Sequence, residues 1–292
     1  MERESAEQEA ATPAEEKSFF GIIIHSFFVI PFLIAICAVL FFASIHWLTR
    51  EQLTPYDYLE QVKIGGITKR WQAAFELSKI LANPRLVPTD DRFITELESA
   101  FQNSKNDDSR VREYLALAMA RTGNPAFLKT LTAGLKDSRE ENLYSGIYAL
   151  GMLKDKRAVP ALMEYLDHSD GRIRSVTVVA LGNIGDDGVR PVLRRMLNDQ
   201  EPNVQWGAAI SLARFKDPAG KNILENLLDR RYLSQYPEVD PNEQTQVVLE
   251  AVAASGMLNN TQLNQKLKGL SQTDQNMKVR SAALEILERS TH

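Results

Sequence analysis

The stretch from Phe27 to Ile45 (FFVIPFLIAICAVLFFASI) is apolar but for Ser44 and runs 19 residues without a charge, and the apolar character reaches back through Ile22, Ile23 and Ile24. That length spans the hydrocarbon core of a bilayer. Trp47 and Arg50 follow at the headgroup level, and Pro31 predicts a kink near one end. The preceding segment is acidic and no A-x-A site follows, so the pattern predicts an uncleaved transmembrane helix and not a removed signal peptide. Beyond Arg50 the apolar spacing becomes helical and recurs. Met119, Leu150, Leu181 and Leu212 stand 31 residues apart. Leu131, Leu162, Leu193 and Leu224 follow in the same register, each with a second leucine four residues on, at 135, 166, 197 and 228.

The pattern predicts two short helices per unit. Ile173, Val176, Ala180, Leu181 and Ile184 mark the buried stripe of a first helix. Gly123 and Gly185 end such helices. Five residues after each column leader comes Asn124, Asp155, Asp186 or Asp217, whose side-chain oxygen can cap the next helix. Pro125 and Pro218 follow where a helix best tolerates proline. Ser255 lies 43 residues after Leu212, with Asn260 again five later, which implies a 12-residue insertion within Asp229–Asn242. Arg70–Leu81 with Phe93–Phe101 extends the array towards the N-terminus, and Val279–Glu288 adds a half-unit at the other end. Neither helix of a unit can bury its stripe alone, and stacking solves that problem. The expected fold is an all-α solenoid of about six helix pairs after one transmembrane helix. Its expected divisions are an acidic tail over 1–17, an anchor over 18–49, a linker over 50–68 and the solenoid over 69–290, with the insertion at about 229–242.

The recurring pattern V/I-R-x-x-A…A-L-G-x-x-x-D/N…L-x-x-x-L resembles HEAT repeats, and the 31-residue spacing is similar to the short bacterial type named after phycobilisome lyases. Asn142–Leu143 and Gln205 depart from the Val/Ile–Arg pair found elsewhere. The tetratricopeptide pattern, with its longer period, is absent. The resemblance implies partner binding on a concave face lined by the second helices. It carries no bilin chemistry, because the matching residues are the structural ones.

Charge narrows the classes further. The 292 residues carry a net −4, and the tail over 1–17 sets Arg3 and Lys17 against six glutamates, which leaves the rest neutral. A neutral body lacks the basic footprint of a nucleic-acid binder, so no nucleic-acid partner is expected. The lone Cys37 excludes an intrachain disulfide framework. No phosphate-binding loop, nucleophile elbow or zinc-protease motif occurs. His25 and His46 flank the anchor about 31 Å apart on one helix, too far to share a metal, and His168 falls in a turn between units. The expectation is a chain without enzyme activity, cofactor or metal.

The candidate docking residues are therefore surface ones. The second-helix ridge carries Glu164, Arg190, Arg194, Arg195 and Glu225, with a basic spot suited to an acidic or phosphorylated segment. The insertion adds Arg230, Arg231, Tyr232 and Tyr236, types favoured at binding hot spots. Asn124, Asp155, Asp186, Asp217 and Asn260 are read as structural caps. The sequence reads as a scaffold in the inner membrane, anchored by residues 18–49 and docking a membrane-associated protein. An accessory subunit of a membrane enzyme or transport complex, a lyase-like cofactor chaperone and, last, a nucleic-acid-binding solenoid are the alternatives. Arg50, Lys63, Lys69 and Arg70 against Arg3 and Lys17 point to a cytoplasmic solenoid, a two-charge difference that leaves the opposite side open. The residues do not specify an oligomeric state.

Overall fold

The structure, a computed structural model, describes residues 25–48, 53–136 and 139–290. The expected tail over 1–17 and the start of the anchor lie outside them. The chain divides into two units, Met1–Gln52 and Leu53–His292. In the first, a π-type turn over His25–Val29 leads into helix α1, Ile30–Leu48. Pro31 has no N–H for an i−4 bond and its ring crowds that carbonyl, so the wider turn forms just ahead of it. Phe27–Ile45 is long and apolar enough to cross a membrane, and none of it is buried.

The second unit is helical throughout its described residues. Segment 50–68, expected to be a linker, contains helix α2 (Pro55–Ile64), opened by a capping box in which Thr54 and Asp57 satisfy each other's backbone N–H. Leu59 and Val62 of α2 are buried, and the Tyr56 hydroxyl donates to Asp90 at 2.5 Å, so this helix closes the end of the stack. Six pairs follow among the described residues. They are α3 (Ile67–Ile80) with α4 (Asp91–Asn103), α5 (Ser109–Arg121) with α6 (Leu128–Gly134), α7 (Glu140–Leu153) with α8 (Val159–Met163), and α9 (Gly171–Ile184) with α10 (Arg190–Met196). Next come α11 (Pro202–Arg214) with α12 (Lys221–Leu227), the short α13 (Arg230–Leu233), α14 (Pro241–Leu258) with α15 (Thr261–Thr273), and a last helix, α16 (Met277–Ser290).

The turn inside each pair is built alike. The backbone enters the left-handed region at Gly123, Lys154, Gly185 and Lys216, with φ of 65°, 56°, 72° and 56°, again 31 residues apart. The following Asn124, Asp155, Asp186 or Asp217 accepts the N–H two residues on at 2.8–3.0 Å, which starts a 3₁₀ turn ahead of the second helix. Asn260 caps α15 in the same way through Gln262 and Leu263. The arginine of the Val/Ile–Arg pair ties units together: Arg112 donates to the Phe101 carbonyl, Arg174 to those of His168 and Ser169, and Arg280 to that of Asp274. Gln205 performs the same task on the Asp199 carbonyl. Arg174 also forms a buried, bidentate pair with Asp199 at 2.7 and 2.9 Å.

The two rows of helices are not equivalent. First helices lie nearly in backbone contact: a Cβ on Gly151 would stand 2.7 Å from Ala180 Cα, and one on Gly182 would stand 2.2 Å from Ser211 Oγ. The Ser211 hydroxyl donates across this seam to the Val178 carbonyl at 3.2 Å. Between second helices the stack gapes instead. Crevices of about 210, 450 and 410 Å³ open beside Thr130, Met196 and Lys266. A stack closed along one row and open along the other curves towards the closed row. First helices therefore form the inner arc, the reverse of the face implied by the family resemblance.

Candidate protein-docking face

The ridge residues lie on the outer, second-helix side, and nearly all are satisfied within the chain. Arg190 pairs with Asp187 and lies 5.6 Å from the Phe215 ring centre. Arg194 reaches Asp217, the buried cap of the next second helix, at 2.8 Å, and Arg195 meets Asp167 at 3.1 Å. Glu225 pairs with Lys221 at 3.4 Å. Glu164 is exposed. Each arginine of the expected basic spot thus has its own aspartate, and the spot carries little free charge.

The insertion also differs from its expected role. Leu233 and Val239 are buried, and Trp206 Nε1 donates to the Tyr232 hydroxyl at 3.3 Å while the Tyr236 hydroxyl donates to the same oxygen at 3.0 Å. The three rings pack edge to face with centroids 5.1–6.3 Å apart. The Tyr232–Tyr236 hydrogen bond and burial push the Tyr236 phenol up to about 12. Arg230 makes a two-pronged pair with Asp274 at 2.7 and 3.0 Å, and Arg231 folds back on Asp229 at 2.8 Å. Tyr232, Tyr236 and Arg230 are thus half-buried and held by partners within the chain.

The inner face holds a different set. Three columns one unit apart stand on it: Glu113, Tyr144 and Ser175; Leu117, Tyr148 and Val179; Arg121, Met152, Asn183 and Arg214; the next members of the first two, Trp206 and Ile210, are buried. Tyr144 and Tyr148 are 47% and 41% exposed on one face of α7. Towards the N-terminal end, the Phe75 and Tyr114 rings meet edge to face at 5.1 Å, and Arg110 lies 4.4 Å from the Trp71 ring centre. Burial pushes the Glu113 carboxyl and the Tyr144 phenol up and the Arg214 guanidinium down, as expected inside a curved face. Arg214 donates to the Asn183 side chain, and Arg121 to the Ser78 carbonyl and hydroxyl at 2.7 and 3.2 Å. Among the described residues neither has a carboxylate within ion-pair reach. The missed signal is legible afterwards: two tyrosines four apart stand on a first helix where the next unit has Ser175 and Val179.

His168 accepts the Asp170 N–H at 3.1 Å within its turn. Among the described residues no three His, Cys, Asp or Glu side chains are grouped to hold a metal.

Comparisons with known proteins agree with this fold. A family model for HEAT repeats matches residues 94–182 and 165–234. The fold is similar to that in the structure of the complex of CpcE and CpcF of phycocyanin lyase from Nostoc sp. PCC7120, with a TM-score of 0.56 at 21% identity over 82% of this chain and 97% of that one. In sequence the chain is similar to deoxyhypusine hydroxylase of Gallus gallus, 31% identical over 96 residues, or 32% of either chain. Deoxyhypusine hydroxylase of Eremothecium gossypii is 34% identical over 97 residues, 32% of this chain and 30% of that one. The chain spans about a third of the length of these curated relatives. They bear the name of an enzyme, which overturns the expectation that a chain of this kind has no enzyme activity.

Proposed function

The chain carries HEAT repeats, and on that premise we propose that it is a membrane-anchored scaffold whose inner, first-helix face docks an extended segment of a protein partner. In this reading residues 18–49 form the anchor, α1 crosses the membrane, and the solenoid over 69–290 faces the cytoplasm beside the complex it serves. One observation carries the assignment of the face: the hydrogen bonds of Arg121 and Arg214 go to neutral groups, with Glu250 acting on Arg214 from beyond ion-pair distance, beside the exposed Tyr144 and Tyr148. A guanidinium hydrogen-bonded only to neutral groups favours a carboxylate brought by a ligand, and tyrosines offer large contact area at low entropic cost. The segment that fits has apolar or aromatic side chains for the tyrosine row and acidic ones for the two arginines.

The test is a crosslinking pull-down of the full-length protein from its native membrane. The expected result is a specific partner that is lost in Tyr144→Ser/Tyr148→Ser and in Arg214→Ser, yet kept in Arg194→Glu/Arg195→Glu. Loss in the last variant alone would return the docking role to the outer ridge. The likeness to deoxyhypusine hydroxylase favours a second reading, in which the solenoid also modifies what it holds. Mass spectrometry of the recovered segment, with and without the inner-face substitutions, would test that reading by a mass change on the segment.

A further inference from the structure

The corner between α2 and α3 presents apolar side chains that no part of the described residues covers. Ile64 ends α2 and Ile67 opens α3, at 75% and 72% exposure, matching bilayer-length α1, where Phe42 is 77% exposed. Gly65 and Gly66 separate them, and no atom lies within 4 Å of where a Gly66 Cβ would be. The base of the corner is fixed: Arg70 Nε donates to the Val62 carbonyl at 2.7 Å, and its guanidinium pairs with Asp107. Cations flank the tip. Lys63 is shared with Glu60 and Glu96, and Lys69 is exposed. A tip of two isoleucines with the exposed Lys69 beside it has the makeup of an interfacial membrane contact, apolar atoms for the acyl boundary and an ammonium group for a phosphate.

Chain length brings a bilayer within reach. The apolar span ends at Ile45 and α2 begins at Pro55. The nine residues between extend at most about 30 Å, and α2 itself adds only about 15 Å. The acidic tail cannot be the cover, since a spanning α1 puts residues 1–17 on the other side of the membrane.

We propose that the Ile64–Ile67 corner dips into the headgroup and acyl boundary of the membrane that α1 crosses, giving the solenoid a second, non-spanning contact that fixes its attitude to the bilayer. This rests on the reading of α1 as a membrane span.

The experiment uses the full-length protein in vesicles of phosphatidylcholine and phosphatidylglycerol, with a polarity-sensitive fluorophore on single cysteines and brominated lipids as quenchers. The native Cys37, exposed on α1, reports the span itself. Ile64→Cys and Ile67→Cys report the corner, and Glu164→Cys reports the outer ridge, each in a Cys37→Ser background. The expected result is strong quenching at Cys37, quenching at Ile64→Cys and Ile67→Cys by lipids brominated near the headgroup, and several-fold less at Glu164→Cys. If Cys37 is quenched while the corner positions match Glu164→Cys, the corner proposal is overturned and the anchor stands. If the corner probes are shielded from water without bromine quenching, a protein covers them and the proposal is again overturned. An unquenched Cys37 defeats the anchor reading, and the corner proposal with it.

Discussion

The outer ridge of this solenoid and the C-terminal ends of two of its first helices both carry arginines, and they use them differently. On the outer row Arg190, Arg194 and Arg195 each meet an aspartate of the chain. On the inner row Arg121 and Arg214 meet a carbonyl, a hydroxyl and an amide. A cluster of cations in the sequence is thus a poor guide to a binding face, because a repeat array brings each residue against its counterpart one unit away. What distinguishes the inner row is charge and aromatic surface that the stack leaves unmatched. The outer ridge, beside open crevices, is closed by ion pairs, whereas Arg121 and Arg214 at the first-helix ends are held by neutral groups.

This contrast can be broken most severely at the buried seam. Arg174→Ala strands Asp199 in the interior and is expected to lower stability by about 3–5 kcal/mol, read as the urea midpoint of the full-length protein in detergent. Gly182→Val pushes a side chain into Ser211 and should cost about 1–3 kcal/mol by forcing the closed row apart, with the two losses separable by crevice-directed probes on the outer side. Acid should act through the carboxylates. Asp199, Asp274 and Asp108 all sit below their ordinary 3.8, with Asp108 at about 2. For Asp199 and Asp274 burial opposes the shift and the bonds from Arg174 and Arg230 outweigh it; for Asp108 the Arg110 pair dominates. Groups with depressed values stabilise the fold above their unfolded pKa and cease to do so as pH falls through the folded one. The melting temperature should therefore fall between about pH 4 and pH 2, and less steeply in Arg174→Ala. Glu113 has the opposite sign, since burial raises it, so Glu113→Gln should raise the melting temperature at pH 7 and lose that gain below pH 4. The smallest effect sharpens the comparison from the outer row: Arg195→Ala, which removes an exposed pair with Asp167, should change stability by no more than about 0.5 kcal/mol.

Much of the architecture could be read from spacing. The 31-residue period, the cap column from Asn124 to Asp217 and the six pairs follow from where leucines and short acceptors recur, and the structure has helices at those places. The sense of curvature could not be read in this way, because periodicity marks buried positions and does not rank the spacing of the two rows. Residue volume does: Gly151 with Ala180 and Gly182 with Ser211 make the first-helix seam narrow. Helix α2 was hidden because it is ten residues long and buries Leu59 and Val62 under a pair outside the 31-residue register. The insertion looked available for binding because tyrosines and arginines are common at interfaces. Its partner was Trp206, the one tryptophan in a column otherwise holding Glu, Tyr and Ser. A large ring at a position that elsewhere holds a smaller side chain needs extra chain to cover it, and Tyr232 and Tyr236 supply it.

The turn at Gly123, Lys154, Gly185 and Lys216 has a mechanical consequence. These four residues sit at the ends of the first helices, where the closed row meets the open one. In a bent strip the side that cannot compress acts as the hinge line, and strain collects on the side that can open. Here the near-contact of first helices is the hinge line and the crevices are the free side, so a force along the array would flatten the arc by closing crevices before it parted the seam. The compliance of the whole array is thereby set by the second helices, and its resting curvature by a few small residues on the first.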